Sequence, residues 1–180
     1  MTRLYSAPAS EAGEHAKRLF AGIKASVGTL PNAYLNIGTN SPQALEGLLF
    51  LDAVLKQSSL PVRDSEVVKL VVSELSQFDY CLGAHTFLGK RAGLDKEQIL
   101  AIRRGKASGD ARIDSLSRFT RKLLSTQGPL PEATINELRF SGIYDAQIVD
   151  IVLAITSITF TNLFNRINDT AKDFPPADEL

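Results

Sequence analysis

The stretch Phe78-Asp79-Tyr80-Cys81-Leu82-Gly83-Ala84-His85-Thr86 contains the only cysteine of the chain and one of its two histidines. Asp79 is a favourable N-cap residue, and the residues after it are typical of a helix. Cys81 would then lie in the first turn, where free backbone N–H groups and the helix dipole favour an anion. His85 follows one turn later on the same face. Burial beside Phe78 would raise the pKa of this thiol, so we expect a lowered pKa if the sulfur has solvent access. A thiol of this kind beside a base is the minimum for nucleophilic or redox chemistry.

The sequence on either side of this stretch resembles a known superfamily. Glu66 comes first, and eleven residues separate it from the pattern Phe78-x-Tyr80-Cys81-x-x-Ala84-His85, which Lys90-Arg91-Ala92-Gly93-Leu94 follows. These motifs resemble the carboxymuconolactone decarboxylase and alkylhydroperoxidase D superfamily, most closely its peroxidase-related branch. The resemblance extends over nearly the whole chain, from Leu30-Pro31-Asn32 to Asn165-Arg166.

The pattern in that superfamily is a glutamate, a Cys-x-x-Cys pair and a histidine four residues after the second cysteine. Glu66, Cys81 and His85 match this pattern, with Cys81 in the second cysteine position, and Phe78 stands in the first. The resemblance implies that the three matching residues form a catalytic site, with Tyr80 and Phe78 as supporting or substrate-binding neighbours. Spacing alone leaves Glu66 and His85 roughly 10 Å apart along two antiparallel helices, so helix packing has to close the gap.

Composition limits the class of protein. A chain of 180 residues can bury one sizeable core, so we expect a single domain over residues 1–180. Its net charge is zero and no basic stripe is present, which argues against nucleic acid as a partner. The single cysteine and the polar start Met1-Thr2-Arg3 favour a reducing cytoplasm. The longest apolar run, from Ile151 to Phe160, is too short and too rich in Thr and Ser for a membrane span.

Apolar residues recur at helical spacing along the whole chain, which predicts an all-α, single-domain helical bundle of the alkylhydroperoxidase D-like type. Ser10, Ser41 and Asp95 are predicted helix caps, and Pro61 is predicted to open a helix that runs to about Gln77. The last helix, from about Asp145 to Ala171, is apolar on more than one side, which indicates burial by a second subunit. The resemblance likewise implies a homo-oligomer, commonly trimer-based.

Each candidate site residue has a structural alternative. A lone cysteine in an apolar helix is usually a small core residue, but the cap, the spacing to His85 and the resemblance favour a functional Cys81. Glu66 could equally be an ordinary solvated or paired carboxylate. Tyr80 either donates a hydrogen bond or only packs against its neighbours. Asp52 also stands out, because it lies on the apolar face of its helix. The Asn-Arg signature of the last helix, for which a structural role is favoured, corresponds to Asn162, Asn165 and Arg166.

Three functions follow from these residues. The first is a peroxiredoxin-like thiol peroxidase, in which Cys81 attacks a small hydroperoxide, His85 and Glu66 move the proton, and an external thiol or thiol protein is the reductant. The second is proton transfer of the lactone decarboxylase type, with Glu66 and His85 as acid and base and a lactone-like substrate. The third is a helical oligomer without catalysis. No metal or other cofactor is expected, because one cysteine and two histidines do not form a tetrahedral soft-ligand site without carboxylates.

Overall fold

A computed structural model describes residues 2–180 and leaves Met1 outside. The described residues form helices and no strand, which confirms the all-α prediction. Besides a short 3-10 helix, Ala9–Glu11, they comprise α1 Glu14–Val27, α2 Asn32–Asn40, α3 Pro42–Lys56, α4 Val62–Ser76, α5 Asp79–Arg91, α6 Lys96–Arg104, α7 Ala111–Ser125, α8 Glu132–Phe140 and α9 Asp145–Asn168.

Helix α4 is at the centre of the fold and contacts α5, α6, α7 and α9. It takes this position because its sequence is apolar around most of its circumference. Val67, Val68, Leu70 and Val71 are fully buried, and each such side chain stabilises the fold by about 2 kcal/mol. Glu66 is thus a carboxylate on the most enclosed helix of the bundle.

A second core joins α1, α2 and α3. It contains Phe20 and Ile23 of α1, Ile37 of α2 and Leu45 of α3, all of them buried. Gly38 lets α2 approach α1 closely, because a Cβ at this position would lie 2.5 Å from a ring carbon of Phe20. The two cores leave a cavity between them, bounded by α1 and α3 on one side and by α4 and α5 on the other.

Several helix boundaries agree with the predicted signals. The Ser41 hydroxyl caps α3 by accepting the backbone N–H of Ala44 at 3.2 Å. Asp95 and Gln98 form the capping box that starts α6. Pro61 directly precedes α4, as predicted. The prediction for Ser10 was wrong, because this residue lies in the 3-10 helix.

The prediction for Asp79 was also wrong. Phe78 occupies the N-cap position of α5 in an extended conformation, and Asp79 is the first helical residue. The Asp79 carboxylate is drawn outward by Lys172, whose Nζ lies 2.6 Å from Oδ2. Cys81 becomes the third residue of α5, so it still lies in the first turn.

Residues 170–178 cross the start of α5. The Phe174 ring packs edge-on against Tyr80, with centroids 5.7 Å apart. The carbonyl of Pro175 lies so close to Gly83 that a Cβ there would approach it to 2.7 Å. Farther along, Arg103 of α6 donates to the carbonyl of Asp178. This segment therefore covers the side of α5 that faces away from the cavity.

Helix α9 ends at Asn168, slightly before the predicted limit, and packs against α3, α4 and α5. By length and composition alone it is apolar enough to cross a membrane, a criterion that core helices of soluble proteins also meet. One side of α9 is buried in the core through Ile151, Ala154 and Ile158. Its other side exposes a stripe of apolar side chains, named here the α9 stripe: Val149, Val152, Leu163 and Ile167.

Candidate active site

Glu66 and His85 meet between α4 and α5. His85 Nδ1 donates to Glu66 Oε2 at 2.8 Å, and the two side chains are only 12% and 9% exposed, in that order. The close packing of α4 on α5 closes the gap that the helix spacing left open. Because Nδ1 carries the proton shared with the carboxylate, Nε2 of the neutral ring is the nitrogen left for chemistry. This is the arrangement of a general base held in one tautomer by a carboxylate.

The sulfur of Cys81 has a different partner. Asn165 of α9 donates from Nδ2 to Sγ at 3.3 Å, and Cys81 is only 2% exposed. Among the hydrogen bonds of residues 2–180, none joins Cys81 to His85. The two residues nevertheless lie one turn apart on the same helix, α5.

The Cys81 sulfur lacks the solvent access on which the expected lowering of its pKa depends. Burial of the thiol raises the pKa of Cys81 to about 11, and the hydrogen bond from Asn165 offsets only part of this effect. Desolvation penalises the thiolate more than a partial charge at a helix end stabilises it once the sulfur is removed from water. At neutral pH Cys81 is therefore a protonated thiol, and its activation needs a base that takes the proton during the reaction.

The cavity between the two cores has a volume of about 620 Å³. Glu66 and His85 lie in its wall, whereas Cys81, Tyr80 and Phe78 are not among the lining residues. Most of the wall is aliphatic, with contributions from Leu19, Ile23, Leu49, Leu55 and Leu60. The Glu66–His85 pair is thus one of several polar groups set in a largely apolar wall, as is usual for small-molecule sites.

A second polar cluster in the same wall is centred on Asp52. Its carboxylate accepts from Tyr34 Oη at 3.4 Å, from Ser157 Oγ at 2.7 Å and from Lys69 Nζ at 3.5 Å. Burial and the neighbouring Asp52 charge raise the pKa of Tyr34 above its ordinary value, so the phenol stays a neutral donor. The position of Asp52 on an apolar helix face was a usable sequence signal, whereas nothing in the sequence marked Tyr34 or Lys69.

Tyr80 and Phe78 lie on the other side of α5. Tyr80 Oη accepts the backbone N–H of Ala33 at 3.1 Å, and its ring packs against Phe174. Burial raises the pKa of Tyr80 above its ordinary value. Phe78 packs at the edge of the main core. Both side chains hold the start of α5 against its neighbours, and neither of them lines the cavity.

The three residues of the Asn-Arg signature have different environments. Asn165 is fully buried and contacts the Cys81 sulfur. Asn162, one turn earlier, is also buried, and its amide has no hydrogen-bond partner within residues 2–180. Arg166 is exposed. One residue of the signature, Asn165, therefore contacts the Cys81 thiol, a role that the sequence did not indicate.

The described part of the chain has no group of three or more His, Cys, Asp or Glu side chains arranged to hold a metal ion.

Comparisons with known proteins agree on the fold. A family model described as the carboxymuconolactone decarboxylase family matches residues 42–125, the span from α3 to α7 that contains Glu66, Cys81 and His85. A comparison with curated protein sequences gives no match.

Several solved structures are similar over nearly the full length. One is an alkylhydroperoxidase AhpD core, an uncharacterized peroxidase-related protein from Ralstonia eutropha JMP134, with a TM-score of 0.84 at 16% identity over 96% of this chain and 92% of that chain. A second is a variant of the debrominase Bmp8 in complex with 2,3,4-tribromopyrrole, with a TM-score of 0.77 at 17% identity over 96% and 92%. A third is an uncharacterized peroxidase-related protein from Silicibacter sp. TM1040, with a TM-score of 0.65 at 21% identity over 97% and 91%. At these identities the similarity establishes the fold.

Proposed function

We propose that this chain, which matches the carboxymuconolactone decarboxylase family model over residues 42–125 and shares the fold of an alkylhydroperoxidase AhpD core, is a thiol-dependent peroxidase, a peroxiredoxin-like antioxidant enzyme that reduces organic hydroperoxides. The observation that carries the proposal is the hydrogen bond of 2.8 Å between His85 and Glu66. It leaves Nε2 of His85 available as a base on the helix that also carries Cys81. The enzymes of this superfamily include decarboxylases, peroxidases and a debrominase, so catalysis is the expected use of the fold.

The raised pKa of Cys81 determines how the reaction begins. His85 Nε2 accepts the thiol proton as the sulfur attacks the terminal oxygen of the hydroperoxide. The O–O bond breaks, the alkoxide leaves with the proton from His85, and Cys81 becomes a sulfenic acid. In sum, a thiol and ROOH give a sulfenic acid and ROH. Glu66 stabilises the imidazolium that forms in between.

The cycle is completed by outside thiols, since Phe78 replaces the first cysteine and the chain has no other. One external thiol condenses with the sulfenic acid, which forms a mixed disulfide and releases water. A second thiol attacks this disulfide, restores the Cys81 thiol and leaves as a disulfide with the first. The expected reductant is a small thiol or a thiol protein.

Peroxide consumption in the presence of glutathione tests the proposal. Wild type should consume cumene hydroperoxide, and Cys81→Ser should not. A single equivalent of hydroperoxide should add one oxygen at Cys81, detected by mass spectrometry, and glutathione should convert it to a mixed disulfide. If Cys81 stays unmodified under conditions that oxidise a free thiol, the peroxidase proposal is wrong.

A second candidate is proton transfer of the decarboxylase type on a lactone-like substrate. The observation that favours it is that Glu66 and His85 line the cavity, whereas Cys81 does not. In that case Cys81→Ser should retain turnover of a carboxylated lactone, while Glu66→Gln and His85→Gln should lose it. A wild-type protein that is inert in both assays would support the oligomer without catalysis.

A further inference from the structure

The charges around the cavity are unequal, although the chain as a whole has no net charge. Its wall contains two carboxylates, Asp52 and Glu66, and twice as many cationic side chains. The four cations come from four different helices and are Arg18, Lys56, Lys69 and Arg91. The excess is therefore a property of the cavity that several helices build, and not of one basic segment.

The carboxylates are already occupied by partners. Glu66 accepts from His85, and Asp52 accepts from Lys69, Tyr34 and Ser157. This leaves the cavity wall without an unpaired negative group. The charge of Asp52 is thus balanced by Lys69, whereas Glu66 keeps its charge beside a neutral His85 and is outnumbered by the other three cations of the wall.

Three of the cations have no such partner. Arg18, Lys56 and Arg91 take part in none of the ion pairs formed within residues 2–180. Arg91 lies over the ring of Phe87, 5.8 Å from its centroid, and this contact leaves its charge uncompensated. All three side chains are exposed, so they form a positive rim to the largely aliphatic wall.

We propose that the cavity binds amphiphilic organic anions, with an apolar body against the aliphatic wall and one carboxylate at Arg18, Lys56 and Arg91. Apolar walls of low dielectric constant focus the field of such a rim and raise the local concentration of anions. Burial of the apolar body supplies the rest of the affinity. Combined with the proposed function, on which this part rests, the substrates are hydroperoxides that carry an acid group.

Equilibrium binding separates this inference from the chemistry. Isothermal titration of reduced wild-type protein with octanoate and octanamide compares two ligands of the same length that differ in charge. Octanoate should bind about tenfold more tightly at low salt, and the difference should shrink in 0.5 M NaCl as the rim is screened. Each of Arg18→Gln, Lys56→Gln and Arg91→Gln should weaken octanoate binding by roughly threefold and leave octanamide unchanged.

The matched controls are Lys24→Gln and Arg118→Gln, which remove exposed cations outside the cavity and should change neither affinity. Equal affinity for octanoate and octanamide in wild type would overturn the inference, and so would an equal effect of the control variants. No peroxide is present in these titrations. Selective octanoate binding without peroxidase activity would therefore support the anion site and refute the peroxidase. Peroxidase activity without a preference for octanoate would support the peroxidase and refute the anion site.

Discussion

The sulfur of Cys81 is enclosed by protein, and its reactivity should depend steeply on pH. Because its pKa is raised to about 11, the thiolate fraction should increase about tenfold per pH unit up to that value. The rate of alkylation by iodoacetamide should therefore still climb above pH 9. A short unstructured peptide with one internal cysteine, measured in parallel, should level off within about one pH unit above the free-cysteine pKa of about 8.5. A protein rate that reaches its plateau by pH 8 would mean that the folded state stabilises the thiolate.

Glu66 should matter through its charge. Glu66→Gln keeps the shape of the side chain and an oxygen that accepts from His85 Nδ1, but it no longer stabilises an imidazolium. We expect kcat for peroxide reduction to fall about 10²-fold, with little change in the melting temperature.

The chain contains a matched control for this variant. Glu46 pairs with His15 at 3.3 Å on the surface, so Glu46→Gln removes the same type of pair away from the cavity. It should leave kcat unchanged. Equal activity of Glu66→Gln and wild type would exclude Glu66 from the proton path.

The residue types of the site were evident from the sequence, but their contacts were not. Glu66, Cys81 and His85 stood out by the superfamily pattern. The pairing of Glu66 with His85 depends on how α4 packs on α5, which spacing along one chain does not specify. The direction of the Cys81 pKa shift stayed open because the helix end was visible in the sequence and the burial of the sulfur was not.

At the scale of elements, Gly83 joins α5 to residues 170–178. Gly83→Ala would place a Cβ about 2.7 Å from the Pro175 carbonyl, so backbone would have to move. We expect a loss of about 1–3 kcal/mol in the free energy of unfolding, measured by urea denaturation, and faster proteolysis of the C-terminal segment.

Gly47 of α3 is the matched control for Gly83, because a Cβ there meets nothing within 4 Å. Gly47→Ala should stabilise the protein by about 0.5–1 kcal/mol, since alanine is the better helix former. If Gly83→Ala also stabilised the protein, the close approach of Pro175 to α5 would not persist in solution.

Helix signals in the sequence were reliable where one side chain decides the boundary. Ser41 and Asp95 cap their helices through their own hydrogen bonds, which depend on local sequence alone. Helix α5 starts at Asp79 instead of after it, and the Asp79 carboxylate pairs with Lys172, distant in sequence, instead of capping the helix. A local sequence pattern does not show an ion-pair partner that lies so far away along the chain.

At the scale of the whole molecule, the α9 stripe predicts a homo-oligomer, commonly trimer-based by the family resemblance. Val149, Leu163 and Ile167 are all more than half exposed, and contiguous apolar surface of this kind is typical of subunit interfaces. Sedimentation equilibrium at micromolar concentration should give a mass above that of the monomer. Leu163→Glu and Ile167→Glu should shift it toward the monomer.

Phe140 provides the control for assembly, because it is 92% exposed on α8, outside the stripe. Phe140→Glu should leave the sedimented mass unchanged. A wild-type monomer would mean that the α9 stripe is simply tolerated in water.

The fold class followed from apolar periodicity, because every helix buries a stripe of its own sequence. The cavity did not, since its wall combines side chains from α1, α3, α4 and α5. The largest missing information was thus which helices face each other.

The segment that crosses α5 also sets an order of events during folding. Cys81 contacts Asn165 over 84 positions of sequence, and Asp79 contacts Lys172 over 93. Loops of this length close late, because the chain entropy lost in closure is recovered only after the intervening helices have packed. The thiol should therefore remain reactive in refolding intermediates and become protected in the last phase. Brief pulses of alkylating reagent at increasing refolding times would therefore report, through the loss of Cys81 labelling, when α9 and the segment beyond it pack against α5.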